Sequence, residues 1–179
     1  MIVLGIDPGT AVTGYGVVTR ARDGLLTLTE CGVIRTSPKT DLADRLREIY
    51  EGVSDLVDRH QPDAVAVEGV FFGKNVRTAV VLGHARGAVL VAAALQRVTV
   101  AEYPPSEVKS AVVGAGRATK DQVGFMVQRL LRLREPPRPE DAADGVAVAL
   151  CHHCRRQGPA HTPSIRLSPV GLRSRRVGP

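Results

Sequence analysis

The sequence predicts an α/β fold: a mixed five-stranded sheet, made of a three-strand antiparallel meander plus two parallel strands, flanked by helices. Three observations carry this expectation. Residues 1–36 hold three apolar, β-prone runs separated by short turn signals. Residues 41–103 then alternate between helical and strand periodicity, and residues 105–155 show helical patterns only.

The elements follow in order. Residues 1–7, MIVLGID, form an apolar strand that ends on Asp7, where Pro8 and Gly9 turn the chain. TGYGVVTR (13–20) is a second strand whose glycines allow close backbone approach. Asp23-Gly24 signals a hairpin into a third strand over 25–36. Residues 41–60 set Leu42, Leu46, Ile49, Val53, Leu56 and Val57 at helical spacing, and Pro62 closes that pattern. DAVAVEGV (63–70) reads as a short buried strand, 75–97 as a long Ala- and Val-rich helix, and VTVAEY (98–103) as the fifth strand. Shorter helices are expected over 105–112, 120–133 and 139–155. Thr119 and Gln122 spell a capping box, and Pro139 suits a first helical turn. The helix 120–133 is expected to bury Val123, Met126, Val127 and Leu130. A hairpin start followed by alternating helix and strand fits the ribonuclease H-like fold.

A chain of 179 residues suits one compact domain, read as 1–154, followed by a tail over 155–179. Six of the 24 basic residues lie in that tail with no acid, so the body is formally neutral and the tail carries the whole net charge of +6. Its Pro, Gly, Ser and Arg content reads as disordered, either a solubilising end or a source of non-specific phosphate affinity. No apolar run is expected to span a membrane, and the N-terminus lacks a signal-peptide pattern. Three cysteines without a secretion signal point to a reduced, cytoplasmic protein.

Four carboxylates stand out. Asp7 ends the first strand and Glu68 lies near the end of the fourth, which would run beside the first. Asp141 and Asp144, three apart, share one face near the N-terminus of the last helix, while Val146, Ala149 and Leu150 would pack its other side on the sheet. Capping and dipole matching explain either aspartate alone, and turn capping explains Asp7. A glutamate in a short buried strand is costlier without a partner. Gathered together, four carboxylates repel unless protonated, paired or neutralised by metal. Oxygen-only donors suit Mg²⁺ or Mn²⁺, and two such ions per site activate water and stabilise the leaving oxygen of a phosphodiester.

Other features are weaker. VVGAGRATK (112–120) joins a Gly-rich loop to a helix N-terminus, where Arg117 and Lys120 suit a phosphate. Gly83 and Gly87 lie on one helix face, fit for close packing against the sheet or across a two-fold axis. Cys151, His152, His153 and Cys154 fall in one helical turn and cannot all converge on one zinc ion. His60 and His161 have no constellation around them.

The segments GIDPGTAVTGYGVV, VAVEGVFFGKNVRTAVVLGHARGAV, YPPSEVKSAVVGAGRATKDQV and DAADGVAVALCH, in this order, resemble the RuvC family of bacterial Holliday-junction resolvases over about residues 1–154. The resemblance implies a ribonuclease H-like homodimer. It implies a metal-dependent endonuclease that nicks four-way junction DNA symmetrically, in recombination and repair, after branch migration by RuvA and RuvB. It places the catalytic, metal-holding carboxylates on Asp7, Glu68, Asp141 and Asp144, a DNA-facing aromatic on Phe71, and basic residues near the cut strand on Lys109 and Lys120. Phe71 at a loop tip suits wedging or stacking on bases, and Lys74, Asn75 and Arg77 suit phosphate binding beside it. Gly69 and His84 depart from the family pattern, which bears on sequence preference rather than chemistry. Two other readings compete: a fragment of an actin-like sugar kinase or ATPase, whose opening strand and turn look alike, and a non-catalytic junction-binding subunit.

Overall fold

The computed structural model describes residues 1–69 and 76–155. Five strands, β1 (Ile2–Asp7), β2 (Val12–Arg20), β3 (Leu26–Arg35), β4 (Ala64–Glu68) and β5 (Thr99–Tyr103), form one sheet in the order β3-β2-β1-β4-β5. β1, β2 and β3 pair antiparallel, while β4 and β5 run parallel to β1. This is the expected mixed ribonuclease H-like sheet. At the β2–β3 hairpin, Gly24 sits at φ +87°, and Leu25 N–H donates to Asp23 Oδ1 at 3.0 Å.

Helices cover both faces. α1 (Leu42–His60) and α2 (Val76–Leu95) pack on one side, closing a core around Leu4, Ile6, Val17, Ile49, Val53, Val65, Val67 and Val89. α3 (Pro105–Val113), α4 (Lys120–Leu130) and α5 (Glu140–Arg155) close the other around Val3, Val18, Val108, Val127, Val146 and Leu150. The Thr119 capping box is present: its Oγ1 accepts from Gln122 N–H and Gln122 Oε1 accepts from Thr119 N–H.

Four expectations change. α5 is not two-faced: Ala142, Ala143 and every residue from Gly145 to His153 are buried, because the sheet lies on one side and α3 and α4 on the other. In α4 it is Leu131, just past the helix, that is buried at 6% exposure, whereas Leu130 is 39% exposed; Val123, Val127 and Leu131 fall four apart on one face, with Leu131 N–H still bonded to Val127 O. Of the two alternatives for Gly83 and Gly87, packing on the sheet is not found: among the described residues a Cβ at either would meet nothing within 4 Å. And one described helix, α2, is long and apolar enough by length and composition to cross a membrane. Here it packs on α1 and β5 and pairs Arg86 with Glu102, as a helix of the α/β fold does.

α5 lies unusually close to the strands. A Cβ on Gly14 would stand 1.8 Å from Asp141 O, and one on Gly5 would stand 2.3 Å from Ala149 N. Only glycine leaves room for backbone against backbone there. Gly14 is the register partner of Asp7, so this contact sets the first turn of α5 beside the end of β1.

Candidate active site

The site lies at the carboxyl ends of β1 and β4. Ile6 pairs with Val67 in the parallel ladder, so the next residues, Asp7 and Glu68, emerge side by side. The turn after Asp7 is held by Thr13, not by the Asp7 carboxylate. Thr13 Oγ1 donates to Gly9 O at 2.7 Å, and Gly9 N–H donates back to it at 3.3 Å. Thr36 Oγ1 and the Arg45 guanidinium both donate to Thr10 O, and Arg45 Nε donates to Thr36 Oγ1 at 2.9 Å. The fixed loop leaves the Asp7 side chain free for other work.

Asp7 and Glu68 come within hydrogen-bonding reach of each other. Burial raises the Asp7 carboxyl above its usual range, and the charges of Asp144 and Asp141 add to the shift. Burial first, then the charge of Asp7, pushes Glu68 up to about 8, with Lys109 pulling the other way. Asp141 and Asp144 project from the first turns of α5, brought in by the Gly14 contact. Lys120, the first residue of α4, donates from Nζ to Asp144 Oδ2 at 2.9 Å; this bond and the nearby Asp141 and Asp7 charges raise its ammonium further. All four carboxylates read from the sequence, with Lys109 and Lys120, therefore meet at the carboxyl ends of β1 and β4.

The remaining predicted contacts divide. Arg77 and Arg117 are exposed, on the first turn of α2 and the loop before α4. Phe71, Lys74 and Asn75 lie outside the described residues, as do His161 and the tail beyond Arg155. His60 does have a constellation: its Nε2 lies 2.8 Å from Glu30 Oε2, and Glu30 also accepts from Tyr15 Oη at 2.8 Å and from Arg59 Nη1 at 2.8 Å. The partners come from three separate elements, which sequence spacing does not reveal. In the Cys-His-His-Cys turn both histidines are engaged by the fold: Tyr103 Oη bonds His152 Nδ1 at 2.8 Å, and His153 Nε2 bonds Val18 O at 3.0 Å.

Among the described residues no three His, Cys, Asp or Glu side chains already form a cage around a common point. Lys120 and a shared hydrogen bond stand in for part of the missing compensation. The donor set nonetheless fits a hard divalent cation: it is all oxygen, and burial has made the two central carboxyls reluctant to ionise without positive charge beside them.

The family model for "Crossover junction endodeoxyribonuclease RuvC" matches residues 3–152. The chain belongs to the RuvC family. A RuvC protein from Desulforamulus reducens is 51% identical over 152 residues, covering 85% of this chain and 93% of the relative. The Thermus thermophilus RuvC structure superposes with a TM-score of 0.82 at 41% identity, over 90% of this chain and 99% of that one. The same T. thermophilus protein in complex with a Holliday junction substrate gives a TM-score of 0.81 at 39% identity, with the same coverage. The RuvC match spans β1 to α5 and so includes all four carboxylates. The actin-like alternative finds no support in it.

Proposed function

We propose that this chain is a crossover junction endodeoxyribonuclease: it hydrolyses phosphodiester bonds in four-way DNA junctions during recombination and repair. The observation that carries the reading is the meeting of Asp7, Glu68, Asp141 and Asp144 in a RuvC-family fold. These four would hold divalent cations, Mg²⁺ or Mn²⁺, two per site. Bound there, the cations would supply Lewis-acid activation of water and charge stabilisation at the phosphate.

The chain's own residues do the rest. The β1–β2 loop, tied by Thr13, Thr36 and Arg45, keeps Asp7 in place while the strand is cut. Lys109 eases ionisation of Glu68. Lys120, paired with Asp144, is placed to bind a phosphate of the cleaved strand and to orient it over the carboxylates. Arg77 and Arg117, both exposed, add cationic phosphate contacts; Phe71 as a base contact and Lys74 and Asn75 as phosphate contacts are read from the sequence. The first 154 residues form the nuclease domain, and the basic tail adds non-specific affinity.

A homodimer suits a substrate with two equivalent cut sites. Its face is the outer stripe of α2, where Val76, Val80, Val91 and Leu95 are 52–74% exposed and Gly83 and Gly87 leave room for close approach. RuvA and RuvB as branch-migration partners rest on family membership.

The test is a nicking assay on a four-way junction against linear duplex, with and without Mg²⁺ or Mn²⁺. Cation-dependent paired nicks in the junction, and Asp7→Asn that binds but cuts at least roughly 100-fold more slowly, are expected. Equal cutting by the two proteins sinks the assignment.

A further inference from the structure

A cavity of about 720 Å³ opens beside the carboxylates, and no step described above uses it. Lys120 and Asp144 form one wall; Phe125, Gln128, Pro137 and Arg138 line the rest. Its size falls within the roughly 300–1,000 Å³ of small-ligand sites. We infer that this cavity receives an unstacked nucleobase of the strand being cut, with Phe125 as its stacking surface. The inference rests on the nuclease reading and names where the flanking nucleotide goes.

Phe125 is 58% exposed on a helix that buries Val123 and Val127. A phenyl ring left in water at this position costs solvation free energy that a core-facing ring would recover. The Arg129 guanidinium stands over it, 5.9 Å from the centroid, which steadies the ring. Gln128 is likewise fixed: its Nε2 donates to Arg134 O at 2.9 Å and to Leu133 O at 3.4 Å, leaving its Oε1 as an acceptor for an amino group.

The charge pattern separates a base from a phosphate. Asp121 and Glu140 line the cavity with Lys120 and Arg138, so the walls carry both signs. A backbone track would be uniformly positive. Mixed polar walls around an aromatic surface suit a neutral ring with donors and acceptors on its edge. Continuity decides the occupant. A strand whose phosphate sits on Lys120, against Asp144, has its adjacent base within the same cavity wall.

The experiment pairs Phe125→Ala and Phe125→Tyr with junctions that carry an abasic site at each nucleotide flanking the cut. Phe125→Ala should lower kcat/KM about tenfold on the intact junction. It should have no further effect when the abasic site replaces the base that enters the cavity. Phe125→Tyr should restore most of the rate. A 2-aminopurine at the same position should be quenched on binding to wild type and less so with Phe125→Ala. Wild-type rates for Phe125→Ala, or the same loss on every abasic junction, would overturn the inference while leaving the nuclease reading intact. A wild-type protein that leaves junctions uncut would overturn both.

Discussion

Glu68 and Glu30 are opposite cases of one residue type. Glu68 ionises near 4.5 in the unfolded chain but holds its proton to about 8 when folded. The folded state therefore binds the extra proton, and without metal its stability falls as pH rises from about 4.5 through 8. Glu68→Gln should raise the Tm of the metal-free protein at pH 8 by a few degrees while nearly abolishing cleavage. Scanning calorimetry with a nicking assay checks both. Glu30 is held down at about 2, first by Arg59 and also by hydrogen bonds from Tyr15 and His60. Its contribution is present above 4.5 and lost as pH falls through about 2. Glu30→Gln should cost about 1 kcal/mol at pH 7 and much less at pH 3, read by urea unfolding at the two pH values.

At the scale of elements, the position of α5 relative to β1 and β2 governs the site. Its first turn can carry Asp141 and Asp144 to Asp7 only because Gly14 offers no side chain. Gly14→Ala places a methyl against the Asp141 backbone, which cannot swing away as a flexible side chain would. The expected result is a loss of about 1–3 kcal/mol in stability, together with slower cleavage as the helix start shifts outward. Calorimetry and single-turnover rates measure it. Stability loss with an unchanged rate would show that α5 does not set the carboxylates.

For the whole molecule, α2 shows buried Ala85, Val89, Ala92 and Ala93 on one side and an apolar stripe in solvent on the other. If that stripe joins two copies, Val91→Asp should weaken the dimer at least about tenfold in sedimentation equilibrium. The two nicks on one junction should then lose their coupling, while metal-dependent chemistry at each site persists. An unchanged association constant would move the interface elsewhere.

The order of strands and helices, the capping box and the four carboxylates were legible in the chain because each rests on local chemistry: periodicity, turn residues, and acids that no local partner explains. The Thr13 clamp, the Glu30 cluster and the burial of α5 were not. The Glu30 cluster joins groups 15 to 30 residues apart that the fold brings to 2.8 Å; the Thr13 clamp is local, four residues long, but depends on a turn geometry that residue type alone does not specify; and α5 is covered from a side its own pattern cannot report. By itself the sequence determined which residues can do phosphodiester chemistry and in which elements they lie. The tertiary structure decided that they meet at the carboxyl ends of β1 and β4, that Lys120 holds Asp144, and that an open aromatic cavity adjoins them. The physical reason is that desolvation and mutual repulsion of charges depend on distances through space, which the order of residues leaves open.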